Sequence, residues 1–265
     1  MQAARCVGAR QRPIAARACR RRCAVLFPPR HRARPARASS YNRRIDANHF
    51  LRMSYRLAIF DFDGTLADSW PFFLSVFNDI ADQHGFRRID VEQAEQLRHY
   101  GPRDVMRHVG MPAWKLPHAA RSFIDRMRGA TSRIALFDGV DDMLRELDGA
   151  GVRLALVSSN AEDNVRAVLG PELAARFGHY ECGMSVFGKA ARIRKVLRQA
   201  GVTPSQALYV GDQVPDADAA RRAGIAFGAV SWGYAPIEML RRTAPEREFG
   251  APCELLALAP AALKR

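Results

Sequence analysis

A chain of 265 residues suffices for one large domain or a domain carrying an insert. Its formal net charge of +14 points at first to nucleic acid or an anionic membrane, yet residues 1–52 hold 14 arginines, no lysine and a single acid, Asp46. The remainder holds 27 basic and 26 acidic residues, so the globular part is close to neutral and a basic binding face on it is excluded.

The Arg-, Ala- and Pro-rich stretch 1–52 has no helical or strand period and is expected to be disordered. It reads as an organellar transit peptide, as a nucleic-acid-binding arm, or as an extension produced by a start placed too early. The last reading is favoured, because "MSYRLAIFDFDG" sets Met53 just ahead of the first strand. A cytoplasmic location follows, organellar only if the stretch is a real transit peptide. The run "CAVLF" is too short for a signal sequence, and no stretch reaches the roughly 18 apolar residues of a membrane helix. Without a CxxC pair or a Cys/His cluster no zinc site is supported, and the cysteine usage fits a reducing compartment.

The first element is "LAIFDFDGTLADS", residues 57–69. A continuous apolar run predicts a parallel strand covered on both faces, broken at Gly64. Strand alternation predicts that Asp61 and Asp63 lean to one side. Like charges so close call for compensation, and a divalent cation with hard oxygen ligands, Mg²⁺, supplies it. Residues 70–135 then read as a helical insert, built from "WPFFLSVFNDIADQHGF", "VEQAEQLRHYG", "PRDVMRHVG" and "HAARSFIDRMRG". The core therefore comprises 53–69 and 136–265. Within the insert Arg103, Arg107 and Lys115 read as charged surface.

Further strands are predicted at "RLALVSSN" (153–160), within "HYECGMSVFGK" (179–189), at "ALYVGD" (207–212) and, as the last one, at "IAFGAVSWG" (225–233). Helices are predicted at 140–150, 161–169, 190–200 and 216–223. Strand and helix alternate, so the expected class is α/β, a doubly wound parallel sheet with an inserted α-helical cap.

Parallel strands deliver their carboxyl ends to one edge. That edge collects Asp61 and Asp63, then Ser158, Ser159 and Asn160, then Asp212 with Asp216 one helical turn on. Each has a plainer reading: Ser158 to Asn160 as helix caps, Asp212 as a turn residue, Asp216 as a first-turn acid. Lys189 resists one. A lysine beside a helix N-terminus is disfavoured by roughly 0.3–1 kcal/mol, unless an anion sits between them.

In this order the residues resemble the haloacid dehalogenase superfamily of phosphohydrolases. "DFDGTLADS" resembles its first motif, Ser158 in "LALVSSN" the second, Lys189 the third and "GDQVPD" the fourth. The insert resembles its helical cap of the first type, and the layout, "WGY" included, is similar to phosphoglycolate-phosphatase-like members. The resemblance implies a sheet with the first strand central. It also implies a Mg²⁺-dependent phosphatase acting on a small phosphomonoester through an aspartyl-phosphate. Asp61 is then the nucleophile and Asp63 the general acid and base. Ser158 donates to a phosphoryl oxygen, and Lys189 neutralises charge. Asp61, the backbone carbonyl of Asp63 and Asp212 hold the metal, with Asp216 supporting it. Gly64, Thr65, Ser159 and Asn160 border the same edge as candidate substrate contacts. Gln213 and Pro215 depart from the fourth motif but leave both its carboxylates in place, and Asp63 argues against dehalogenation. Two alternatives stand beside this reading: a phosphomutase of the same fold acting on a sugar phosphate, and a nucleic-acid binder working through residues 1–52. For the core the expected partner is a small phosphorylated metabolite, with neither nucleic acid nor membrane.

Overall fold

The structure is a computed structural model that describes residues 55–97, 100, 102–184 and 188–260. The readings made for residues 1–52, and for the side chain of Arg103, lie outside the described residues. Strand β1 (Leu57–Phe60) is wholly buried. It lies inside a six-stranded parallel sheet between β4 (Arg153–Val157) and β6 (Ala207–Gly211), in register Leu57 with Arg153 and with Ala207. The order β5-β4-β1-β6-β7-β8 continues with β5 (Phe177–Glu181) on one side and β7 (Ala226–Val230) and β8 (Arg247–Phe249) on the other.

The apolar run of β1 is needed because both its faces are covered. Ala58 and Phe60 join Leu154, Leu156, Leu208 and Val210 beneath α5 (Val140–Gly149) and α6 (Glu162–Ala174). Leu57 and Ile59 join Ala155, Val157, Ala207 and Tyr209 beneath α7 (Gly188–Ala200) and α8 (Val214–Ala223). Each large apolar side chain among them contributes roughly 1.5–3 kcal/mol on burial, so β1 anchors both layers. From β1 the sheet grows first through β4 to β5, then back through β6 to β7. The direction reverses beside β1, and in sheets of this kind ligands bind at the carboxyl ends of the strands flanking such a reversal, here β1, β4 and β6.

Among the described residues, four α-helices lie between β2 (Ala67–Asp68) and β3 (Ala135–Leu136): α1 (Trp70–His84), α2 (Val91–Leu97), α3 (Pro102–His108) and α4 (Leu116–Arg128). β2 and β3 pair antiparallel, Ala67 with Leu136, so the chain enters and leaves the insert through adjacent strands. Helix α1 starts with Pro71 in its first turn and stops at Gly85, whose φ of 66° suits a left-handed cap. Its buried stripe splits. Phe72, Val76 and Ile80 join the cluster under the sheet, while Phe77 and Ala81 form a second cluster with Ile89, Ala94, Leu97 and Val109. No helix among the described residues is long and apolar enough to cross a membrane.

Two expectations are corrected. The last strand is β8, not 225–233; its three residues, Arg-Glu-Phe, carry no apolar run and pair only with the edge of β7. Strand β5 begins at Phe177, ahead of the segment expected to contain it. The expected helix end at Leu169 holds: Gly170 (φ 71°, ψ 164°) leaves the helical region, and a second short helical stretch starts at Pro171, where Leu173 and Ala174 are buried beyond the kink.

Candidate active site

The strand ends bring Asp61, Asp212 and Asp216 together, all buried, with one carboxylate oxygen of each within 4.8 Å of the others. Asp61 follows β1 directly and still holds its ladder position, its N–H donating to Val210 O at 2.9 Å. Asp212 follows β6. Asp216 lies in the first turn of α8, where its Oδ2 accepts the Gln213 N–H at 3.0 Å. The plain reading of Asp216 as a helix-start acid therefore holds and coexists with another: its Oδ1 accepts Lys189 Nζ at 2.5 Å. The same ammonium donates to Asp61 Oδ2 at 2.7 Å. Lys189 is the second residue of α7, and the anion its position called for is this pair of carboxylates.

Glycines make room for these carboxylates. Gly64, with φ 81°, lies so close to Asp212 that a Cβ there would come within 2.3 Å of Oδ2. A Cβ on Gly211 would meet Asp216 Cβ at 2.7 Å, and one on Gly233 would meet Asp212 Cβ at 2.2 Å. Thr65, fully buried, donates from its hydroxyl to Asp212 Oδ1 at 2.9 Å, and the Tyr234 N–H donates to Asp212 Oδ2 at 2.9 Å.

Asp63 has partners of its own, different from those of Asp61. Past the ladder bond of the Asp61 N–H the chain turns: the N–H groups of Thr65, Leu66 and Ala67 all go back to Phe62 O, and Asp63 lies inside this turn. Its Oδ1 accepts the Ser69 hydroxyl at 2.6 Å and its Oδ2 accepts Asn160 Nδ2 at 3.0 Å. Asn160 is itself fixed: its Oδ1 accepts the Ala161 N–H and Asn164 Nδ2. Ser158 is buried, its Oγ accepting the Asn160 N–H at 3.1 Å, and Ser159 next to it is exposed. The residue capping α6 is Ala161, with no side-chain cap, so Ser158 to Asn160 do not serve as its cap.

Burial governs the electrostatics. It pushes Asp61 up to about 7, against the opposing pull of Lys189 and with help from Asp216. Burial, then the charges of Asp216 and Asp61, raise Asp212 well above the usual carboxylate range. Burial also raises Asp63, countered by its bonds from Ser69 and Asn160. For Lys189 burial works downward, but Asp216 and Asp61 outweigh it and hold the ammonium well above its ordinary value. The three clustered carboxyl groups share one ammonium, which leaves hard oxygen donors in excess of the cations that face them. That donor set fits a divalent cation such as Mg²⁺.

Four residues of this site carried no assignment in the sequence: Ser69, Trp232, Gly233 and Tyr234. A signal was present for each. Ser69 closes the first motif, and the other three follow the carboxyl end of β7, one strand beyond the ends compared.

The sequence profile described as haloacid dehalogenase-like hydrolase matches residues 58–230. A phosphoglycolate phosphatase of Synechococcus elongatus is 31% identical over 199 residues, covering 75% of this chain and 94% of that protein. The tyrosine-protein kinase PtkA of Mycobacterium tuberculosis is 30% identical over 210 residues, 72% of this chain and 67% of its own. Among solved structures, a haloacid dehalogenase-like family hydrolase from Streptococcus pneumoniae superimposes with a TM-score of 0.65 at 22% identity, over 77% of this chain and 98% of that one. The profile spans β1 through β7, every carboxylate of the cluster and Lys189. By its sequence, its sheet order and the residues at its strand ends, the chain belongs to the haloacid dehalogenase-like hydrolase family.

Proposed function

We propose that this phosphatase is Mg²⁺-dependent and hydrolyses phosphoglycolate or a similar small phosphomonoester through a phosphoryl group carried on Asp61. The observation that supports this most is the division of partners between two aspartates. Asp61 sits against Lys189 within the acidic cluster, while Asp63 is held by Ser69 and Asn160. The curated relative named a phosphoglycolate phosphatase supports the substrate class.

Asp61, Asp212 and Asp216, with the backbone carbonyl of Asp63, would hold the metal. Bound there, Mg²⁺ supplies charge neutralisation for the phosphoryl oxygens. The steps belong to the chain. An Asp61 oxygen attacks phosphorus, the bond to the leaving oxygen breaks, and Asp63 gives that oxygen its proton. Water then attacks phosphorus, Asp63 takes back a proton, and the bond to Asp61 breaks to release inorganic phosphate. Lys189 would hold Asp61 in line, and Ser158, at the carboxyl end of β4, would donate to a phosphoryl oxygen. Residues 70–135, running from α1 to the start of β3, form the cap that would choose the leaving group.

The test is phosphate release from a panel of phosphomonoesters by the full chain, with Mg²⁺ and with excess chelator. Release from a small carboxylated or sugar phosphomonoester that stops on chelation is expected. Undiminished release in chelator overturns the metal assignment. Isomerisation of a hexose phosphate without phosphate release would favour the phosphomutase reading.

A further inference from the structure

The segment Trp232–Gly233–Tyr234 lies on the site residue by residue. Trp232 Nε1 donates to Thr65 O at 3.0 Å. Gly233 passes so close that a Cβ would come within 2.5 Å of Gly64 O as well as touching Asp212. Tyr234 then divides its two polar groups, the backbone N–H going to Asp212 and the phenol to Ser69 Oγ at 2.5 Å. Its ring packs against Trp70, the first residue of α1, with centroids 5.2 Å apart.

The direction of the hydroxyl pair follows from proton counting. A serine hydroxyl has one proton, and Ser69 donates it to Asp63 Oδ1 at 2.6 Å. With Asp63 ionised, the short Ser69–Tyr234 contact therefore has the phenol as donor. The chain runs from Tyr234 Oη to Ser69 Oγ to Asp63 Oδ1, while Asn160 holds Oδ2 from the other side. Without the phenol, Ser69 Oγ loses the donor that fixes its rotamer, and Asp63 keeps only Asn160 as a rigid partner.

We propose that Tyr234 is a positioning residue for Asp63: through Ser69 its hydroxyl fixes the Asp63 carboxyl in the orientation that serves the leaving oxygen. The inference rests on the phosphatase reading above for its kinetic consequence, and on geometry alone for its structural one. Misplacing a group that protonates a leaving oxygen matters most when that oxygen is a poor leaving group, as in an alkyl phosphate. It matters little for 4-nitrophenyl phosphate, whose phenolate leaves unprotonated.

The experiment compares Tyr234→Phe, which keeps the ring and the backbone N–H, with the wild-type full chain. The ratio kcat/KM reports only steps up to phosphoryl transfer, so the return of water does not obscure it. For an alkyl phosphomonoester kcat/KM should fall about 10- to 30-fold, with the loss in kcat rather than KM, and for 4-nitrophenyl phosphate by less than about threefold. Ser69→Ala should show the same contrast. An equal fall for both substrates, or no fall for either, overturns the proposal. A crystal structure of Tyr234→Phe decides the geometric part without any assay: Asp63 turned away from Ser69 supports it, and Asp63 unmoved overturns it. If the wild-type chain releases phosphate from no monoester, the phosphatase reading fails, while that crystal structure still tests the hold of Tyr234 on Asp63.

Discussion

At the level of single residues, charge placement explains more than residue type does. Lys189 sits where a helix dipole disfavours it, and two carboxylates at 2.7 and 2.5 Å account for its place there. Removing it leaves Asp61 and Asp216 buried beside Asp212 with no cation among the described side chains to face them. Lys189→Ala should therefore lower kcat about 100- to 1,000-fold, as the loss of other preorganised charge stabilisers does. A change under about threefold in steady-state phosphate release returns Lys189 to a structural role. Asp61, Lys189, Asp212 and Asp216 could be placed from sequence because each ends a strand or starts a helix. The environment of Asp63 could not. Alternation is a property of strands, and the chain leaves β1 before Asp63, so its partners are set by the turn back to Phe62 O.

At the level of elements, the apolar run of β1 and the alternation of strand with helix made the central sheet legible, because burial on both faces leaves no polar positions to confuse the pattern. The short elements were not legible. β2, β3 and β8 hold two or three residues each, and their pairing comes from neighbours rather than from any period of their own. The segment after β7 belongs with them. Its packing onto Asp212 is a matter of backbone proximity, which sequence signals only through a glycine whose reason is hidden. Gly233→Ala would drive a methyl to 2.2 Å from Asp212 Cβ, and both atoms belong to fixed parts of the fold. The expected outcome is a lower melting temperature by several degrees together with a raised Mg²⁺ requirement for activity. A variant that matches the wild type in both shows that the segment yields freely.

At the level of the whole molecule, the acidic cluster ties stability to pH and to metal. The folded pKa of Asp61, about 7, lies above the ordinary aspartate value of about 4. Between these limits the metal-free folded chain retains a proton that the unfolded chain has released. Stability from this group is thus greatest at the acid end of the window and is lost as pH rises through 7. Asp212, raised for the same reason of burial, acts in the same direction. Melting temperature measured without metal should fall from pH 5.5 towards pH 8, about that range being the window set by these groups. Mg²⁺ should raise it most at the alkaline end, since bound ligand stabilises the folded state. An equal Mg²⁺ effect at both ends would separate the metal from these carboxylates.

If Asp61 carries the phosphoryl group and Asp63 moves the proton, the most direct measurement is mass spectrometry of Asp63→Asn after exposure to 4-nitrophenyl phosphate. This substrate needs no proton for the first step, but release of the phosphoryl group still requires a base. A phosphoryl group accumulating on Asp61 is the predicted result. A phosphoryl group on any other residue, or full turnover by Asp61→Asn free of contaminating phosphatase, would contradict it.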